Sequence, residues 1–194
     1  MAITTEQIKE LRDATGVSIM QCKKALEEAR GDHEKAKIAL QKQSKAVASK
    51  KSDRELGSGT IASYIHAGGS VGSMIELACE TDFVSKNEEF KKLAYDIAMH
   101  VAAQSPEFLK RDDVTEEQET KVKEVFQKEV DDKPSDIQDK IMKGKIDSYF
   151  DEKVLMDQRF IKDSDRKISD LIESGTQKFG ERIEVLRFVR YSVN

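Results

Sequence analysis

Residues 59–79, GTIASYIHAGGSVGSMIELAC, alternate with a period of two, and from residue 86 the apolar period becomes 3.6. So abrupt a change leaves little freedom: two strands must turn and then feed almost directly into a helix. Ile61, Ser63 and Ile65 alternate with Ala62, Tyr64 and His66. Gly68-Gly69 then supplies a turn that tolerates positive φ. Val71, Ser73, Ile75, Leu77 and Cys79 follow on one face. Residues 86–103, KNEEFKKLAYDIAMHVAA, place Phe90, Leu93, Ala94, Ile97, Ala98 and Val101 on one helical stripe. Ser85 and Glu88 have the spacing of a capping box at its start, and Ser105-Pro106 ends it. His100 falls at the edge of that stripe, the position of a half-buried packing residue.

Between strand and helix lies ETDFVS. Cys79 ends the alternation and Ser85 opens the helix, so Thr81, Asp82, Phe83 and Val84 form a very tight connection. Phe83 belongs to neither element. It either folds back under the helix as a hydrophobic cap or is presented outward as a wedge with a carboxylate beside it. Rigidly supported loops are where binding residues concentrate.

Ahead of the hairpin, three short helices are predicted. Residues 4–16 pair Thr4 with Gln7 and stop at Gly16, with Ile8, Leu11 and Ala14 as a buried stripe. Residues 18–31 pair Ser18 with Gln21 and stop at Gly31, with Ile19, Cys22, Ala25, Leu26 and Ala29 on one face. Asp32 caps a third helix carrying Ala36, Ala39 and Leu40. Met20 points away from the stripe of its helix, as a lone exposed methionine or as a contact for a partner. Residues 41–58 are rich in lysine and lose the apolar period. The expected organisation is an N-terminal module at 1–45, a linker at 46–58 and a core domain at 59–194.

Within that core, residues 115–150 read as a helical hairpin inserted as a protruding arm. Val122, Val125, Phe126 and Val130 form one narrow stripe; Ile137, Ile141, Ile146, Tyr149 and Phe150 form the other, and Pro134 separates them. Residues 154–161 suggest an extended segment and 165–174 a short helix. Residues 182–193, RIEVLRFVRYSV, predict a last strand, apolar on both faces, either central or an edge covered by a partner. The fold class is therefore α+β: a helical bundle, then a small antiparallel sheet with packed helices and an arm.

Composition narrows the function. Charged residues make up 36% of the 194, which suits long solvated helices rather than a thick core. The net charge of −4 gives no global attraction to nucleic acid or to an anionic membrane. No apolar run approaches the ~18 residues of a membrane-spanning helix, and the N-terminus lacks a signal-peptide shape. Cys22 and Cys79 are far apart, each on an apolar pattern, as in a reduced cytoplasmic protein. His33, His66 and His100 are scattered. No nucleophile, zinc or phosphate-loop motif is present, so neither a metal, a cofactor nor enzymatic chemistry is expected. A protein that acts by binding other proteins is.

The junction carries a resemblance. ETDFVSKNEEF resembles the T-D-F-V signature of the bacterial elongation factor Ts family. KELRDATGVSIMQCKKALEEARGD is similar to that family's N-terminal module, whose three helices resemble ubiquitin-associated (UBA) domains, and DIAMHVAAQSP is similar to its H-I-A-M-H-I-A-A-x-x-P segment. The likeness continues through the arm to the final strand. One strand–strand–helix unit is present, as in the family's short form. Asp157-Gln158-Arg159-Phe160 stands where the family often has E-Q-P-F.

The resemblance implies a translation elongation factor that exchanges guanine nucleotide on the GTPase elongation factor Tu. Asp82 and Phe83, flanked by Thr81 and Val84, would insert near the GTPase's magnesium and phosphate loop. His100 would lie close to Phe83 and help. Leu11, Ile19 and Met20 would touch the GTPase from the N-terminal module, with the arm as an accessory contact. Longer members use two core halves, which a single-core chain matches by forming a homodimer. The alternative is a UBA-like adaptor or assembly module without exchange activity, which leaves the T-D-F-V junction without a task.

Overall fold

The computed structural model describes residues 3–131 and 134–193, with the backbone alone at 135 and 136. Capping chemistry sets the N-terminal helices α1 (Thr5–Thr15), α2 (Ile19–Glu28) and α3 (His33–Ser49). Gln7 N–H donates to Thr4 Oγ1 at 3.2 Å while Thr4 N–H donates to Gln7 Oε1 at 3.0 Å. Ser18 and Gln21 repeat the exchange, and Asp32 Oδ1 accepts from Lys35 N–H at 3.0 Å. Each such cap satisfies helix donors that would otherwise lack a partner. Leu11, Val17, Cys22, Ala25, Leu26, Ala36 and Leu40 fill the space between the helices.

Two residues expected inside this bundle are outside it. Ile19 and Ala39 are exposed. Side chains lean toward a helix's N-terminus, so Ile19, the first residue of α2, projects past the end of the bundle. The interior of α3 runs through Ala36, Leu40 and Ser44, and Ala39 falls beside that row. The lysine-rich stretch continues α3 to Ser49, where the helix lies against a later one, α8 (Ile168–Phe179).

The hairpin forms as read: β1 (Ser58–Ile65) pairs antiparallel with β2 (Val71–Cys79) about Gly68 and Gly69, both at positive φ. The last strand, β5 (Ile183–Ser192), pairs antiparallel with the other side of β2. Among the described residues these make a three-stranded sheet in the order β1–β2–β5, so β5 is an edge and β2 is central. A one-turn helix α4 (Asp82–Ser85) leads into α5 (Glu88–Gln104), which packs with α8 over the inner face. Ile75, Leu77, Phe90, Ile97, Leu171 and Val185 are among the side chains buried there. Removing each large one from water is worth about 1.5–3 kcal/mol.

The arm is α6 (Glu116–Val130) and α7 (Ser135–Lys153). Its apolar cluster lies at the root, where Ile146, Phe150 and Val154 are buried among Phe108, Val122 and Tyr149, and Val130 is buried at the far end of α6. The Arg111 guanidinium sits 4.2 Å from the centre of the Phe150 ring. Val125 and Ile137, both expected in the stripes, are exposed, because two helices cover only one side of each other. After the arm, β3 (Arg159–Phe160) and β4 (Asp163–Lys167) form a small ribbon. This delays α8 beyond the expected start at 165. The charged run DSDRK has no apolar alternation that would reveal a strand. Among the described residues no helix is long and apolar enough to cross a membrane.

The sheet is tight enough at Gly59 that a Cβ there would lie 2.6 Å from the Leu77 carbonyl oxygen and 3.1 Å from Ala78 Cα. Backbone cannot swing aside as a flexible side chain can. Gly59→Ala is expected to destabilise the fold by about 1–3 kcal/mol in urea unfolding. An unchanged midpoint would show that the β1–β2 pair is looser than its geometry.

Candidate functional site

The junction after β2 is built from its backbone outward. Thr81 is the extended N-cap residue of α4, a single turn closed by Ser85 N–H donating to Thr81 O at 3.3 Å and Lys86 N–H to Asp82 O at 3.1 Å. Val84 points into the main core. Ser85 Oγ accepts from Ser58 Oγ at 2.9 Å and donates to Asp82 O, so it ties the turn to β1. Ser85 is therefore not the cap of α5. Asn87 is, its side chain accepting from Glu89 N–H at 2.8 Å.

With Val84 and Ser85 turned inward, Asp82 and Phe83 are left on the crest. Phe83 is 88% exposed, which overturns the hydrophobic-cap alternative. Asp82 Oδ2 accepts from Lys86 Nζ at 2.6 Å, and that hydrogen bond holds its carboxyl below the usual carboxylate range. Beneath the crest, burial, with the charge of Glu181 nearby, pushes the Cys79 thiol up to about 11. It stays protonated and donates to Thr81 O at 3.2 Å.

A second exposed apolar site lies on the N-terminal module. Met20 is 82% exposed and Ile19 59%, side by side in the first turn of α2. The module is docked on the core. Arg166 Nη1 donates to Ala14 O at 3.4 Å and Nη2 to Ser174 Oγ at 3.0 Å, while Ser44 Oγ meets Gln177 Oε1. Glu89, at the start of α5, is held below the usual range by its hydrogen bond from Lys178 and more weakly by Arg12 of α1.

Three of the residues assigned to the contact surface are instead interior. Leu11 is fully buried in the helical bundle, and Val84 is buried under the crest. His100 is also fully buried, twelve residues along α5 from Glu88, so about 18 Å along the axis at 1.5 Å per residue. Its ring is fixed by two contacts: Ile161 N–H donates to Nδ1 at 3.4 Å, and Nε2 faces Gln158 Oε1 at 2.9 Å. The first makes Nδ1 an acceptor, so Nε2 carries the proton and donates to Gln158. Gln158 in turn donates to Glu152 O at 2.7 Å, tying α5 to the root of the arm. Arg159, where the family pattern has proline, starts β3 with Nη1 donating to Ser164 O at 2.7 Å.

Comparison with known proteins is consistent over the whole length. A family model described as "Elongation factor TS" matches residues 3–194. The protein called "Elongation factor Ts" in Thermodesulfovibrio yellowstonii is 48% identical over 194 residues, covering 100% of this chain and 97% of its own. The one of that name in Thermosipho melanesiensis is 47% identical, covering 98% of each chain. The one in Geobacter metallireducens is 43% identical, covering 100% of this chain and 90% of its own.

Burial holds the His100 imidazole below the usual histidine range, opposed by its bond to Gln158. The folded chain thus prefers neutral His100, and the unfolded chain takes the proton more readily. This contribution to stability is complete above about pH 6.5 and is lost as pH falls toward the depressed folded value, at no more than about 1.4 kcal/mol per pH unit. Urea unfolding of the native chain should weaken from pH 7.5 to 5.5, and His100→Gln should flatten that slope. Equal slopes would assign the effect to groups other than His100.

Proposed function

This chain belongs to the elongation factor Ts family of translation elongation factors, and we propose that it promotes GDP release from the GTPase elongation factor Tu by inserting the Asp82–Phe83 crest. The observation that carries this is Phe83 itself, a large aromatic side chain 88% exposed on a turn pinned from below by Val84 and Ser85. An adaptor without exchange activity would leave that crest unused. In this function the chain works in the cytoplasm and catalyses no chemical step. It needs no cofactor, nucleic acid or membrane.

The energetics fit. A factor that binds the nucleotide-free GTPase more tightly than the loaded one must weaken the nucleotide by the same factor. Burying one phenylalanine supplies about 1.5–3 kcal/mol. Each tenfold gain in release rate needs about 1.36 kcal/mol, so Phe83 accounts for about one to two decades. The Asp82 carboxylate, brought near the phosphates and their magnesium, opposes the nucleotide's negative charge and competes for the cation's field. Ile19 and Met20 supply a second contact to the GTPase from the N-terminal module. Thr81 sets the base of the crest. Val84, His100 and Leu11 support from inside: Val84 beneath the crest, His100 at the join of α5 and the arm, Leu11 beneath α2.

The outer face of the sheet supports a homodimer. Ile61, Ile65, Met74, Val189 and Tyr191 are exposed there, opposite the helices, and Met74 stands directly across from Val189. A second copy is the occupant that gives a chain with one core unit a second crest.

Release of a fluorescent GDP from elongation factor Tu tests the crest. Phe83→Ala is expected to slow stimulated release tenfold or more, and Asp82→Ala to slow it as well, both with native unfolding midpoints. Full stimulation by Phe83→Ala would refute the wedge. For the dimer, sedimentation velocity should show Met74→Lys as a monomer and the native chain as a dimer. A monomeric native chain at tens of micromolar would remove that part of the proposal.

A further inference from the structure

The crest is held by a side chain that the sequence does not point to. α4 has only four residues, and among the described residues Thr81 makes no capping hydrogen bond of its own to that turn. A helix this short does not stand by itself. Val84 and Ser85 pin the far side of that turn, and its entry, from which Asp82 and Phe83 project, takes its direction from whatever fixes Thr81.

Glu181 fixes it. Oε2 accepts from Thr81 N–H at 3.0 Å and Oε1 accepts from Thr81 Oγ at 2.6 Å, so both carboxylate oxygens are spent on one residue. With the Cys79 thiol and Ser85 N–H both donating to Thr81 O, every polar group of Thr81 is engaged. The register brings the pair together. Cys79 stands opposite Ile183 in the β2–β5 ladder, and two residues further out Thr81 and Glu181 continue that line. Gly180, at φ 73° after the last turn of α8, makes the bend that aims Glu181 there. The neighbouring pair reciprocates: Glu80 Oε1 accepts from Arg182 N–H at 2.6 Å. The end of β2 and the approach to β5 are thus cross-linked by carboxylates in both directions.

We propose that Glu181 is a positioning residue for nucleotide exchange: it does not enter the GTPase site, and it sets the direction of Phe83 by holding Thr81 at both of its donors. This rests on Phe83 being the wedge. A carboxylate is suited to the task, since it offers two acceptor oxygens to two donors of one residue. Glutamine keeps one acceptor and sets an amide N–H group against the second donor. Alanine keeps neither. A wedge that must meet its target within a fraction of an ångström loses much of its effect when its base is free to swing.

The test is a cycle on the full-length chain, with release of fluorescent GDP from elongation factor Tu as readout. Glu181→Ala is expected to lower the maximal exchange rate about fivefold or more, and Glu181→Gln by less, with the thermal midpoint little changed. In a Phe83→Ala background Glu181→Ala should have no further effect, because there is no wedge left to aim. Amide hydrogen exchange should quicken at Thr81 and Ser85 in Glu181→Ala, and stay native at Leu77 within β2. An equal loss in the Phe83→Ala background would make Glu181 an independent contact and overturn the proposal. Native exchange in Glu181→Ala, with Phe83→Ala slow, would overturn it while leaving the wedge in place. Native exchange in Phe83→Ala would remove the wedge itself, and the positioning role with it.

Discussion

The ladder between β2 and β5 joins the second strand of the chain to the last, with Val71 opposite Ser192 and Cys79 opposite Ile183. Everything from the crest to α8 is enclosed in the loop that this pairing closes. Closing so long a loop costs entropy that grows only slowly with its length, and the buried faces of α5 and α8 repay it. Once β5 is in register, the far end of the chain stands beside the junction, and the crest acquires a support that no local sequence gives it. The shape of the crest is thus a long-range property of the fold.

Much of the architecture was legible in the residues. The period of two about Gly68-Gly69 and the 3.6 period of α5 identified the hairpin and its covering helix, because alternation and stripe are what one-sided burial imposes. Capping boxes at Thr4 and Ser18 marked two helix starts, and both form with their predicted partners. Other features were not legible, each for a physical reason. Residues 82–85 are too few to show a period, so α4 was hidden and the cap of α5 was placed at Ser85 instead of Asn87. Phe83 had two readings that local sequence cannot separate. The choice depends on which side chains of the turn face inward, and Val84 and Ser85 do.

The site was legible only where chemistry and exposure coincide. Asp82, Phe83, Ile19 and Met20 are exposed, as the proposed contact requires. Leu11 and His100 were assigned to the same surface by likeness of motif, and burial separates them from it. His100 looked like a packing residue at the edge of its stripe, and its hydrogen bonds from Ile161 and to Gln158 came from residues with no pattern linking them to it. Glu181 is the extreme case: an ordinary glutamate after a glycine, whose partner lies a hundred residues away. Periodicity reports burial and not pairing, so such residues emerge only from the assembled fold.

The arm has its own small cluster of apolar side chains at the root, separate from the one beneath the sheet. The consequence is evolutionary. Since α6 and α7 cover chiefly each other, both can gain or lose whole turns together without a compensating change in the sheet or the crest. Selection on reach and selection on the rest of the molecule then act on different residues, and descendants of one ancestor can differ in the length of this limb while keeping the same body.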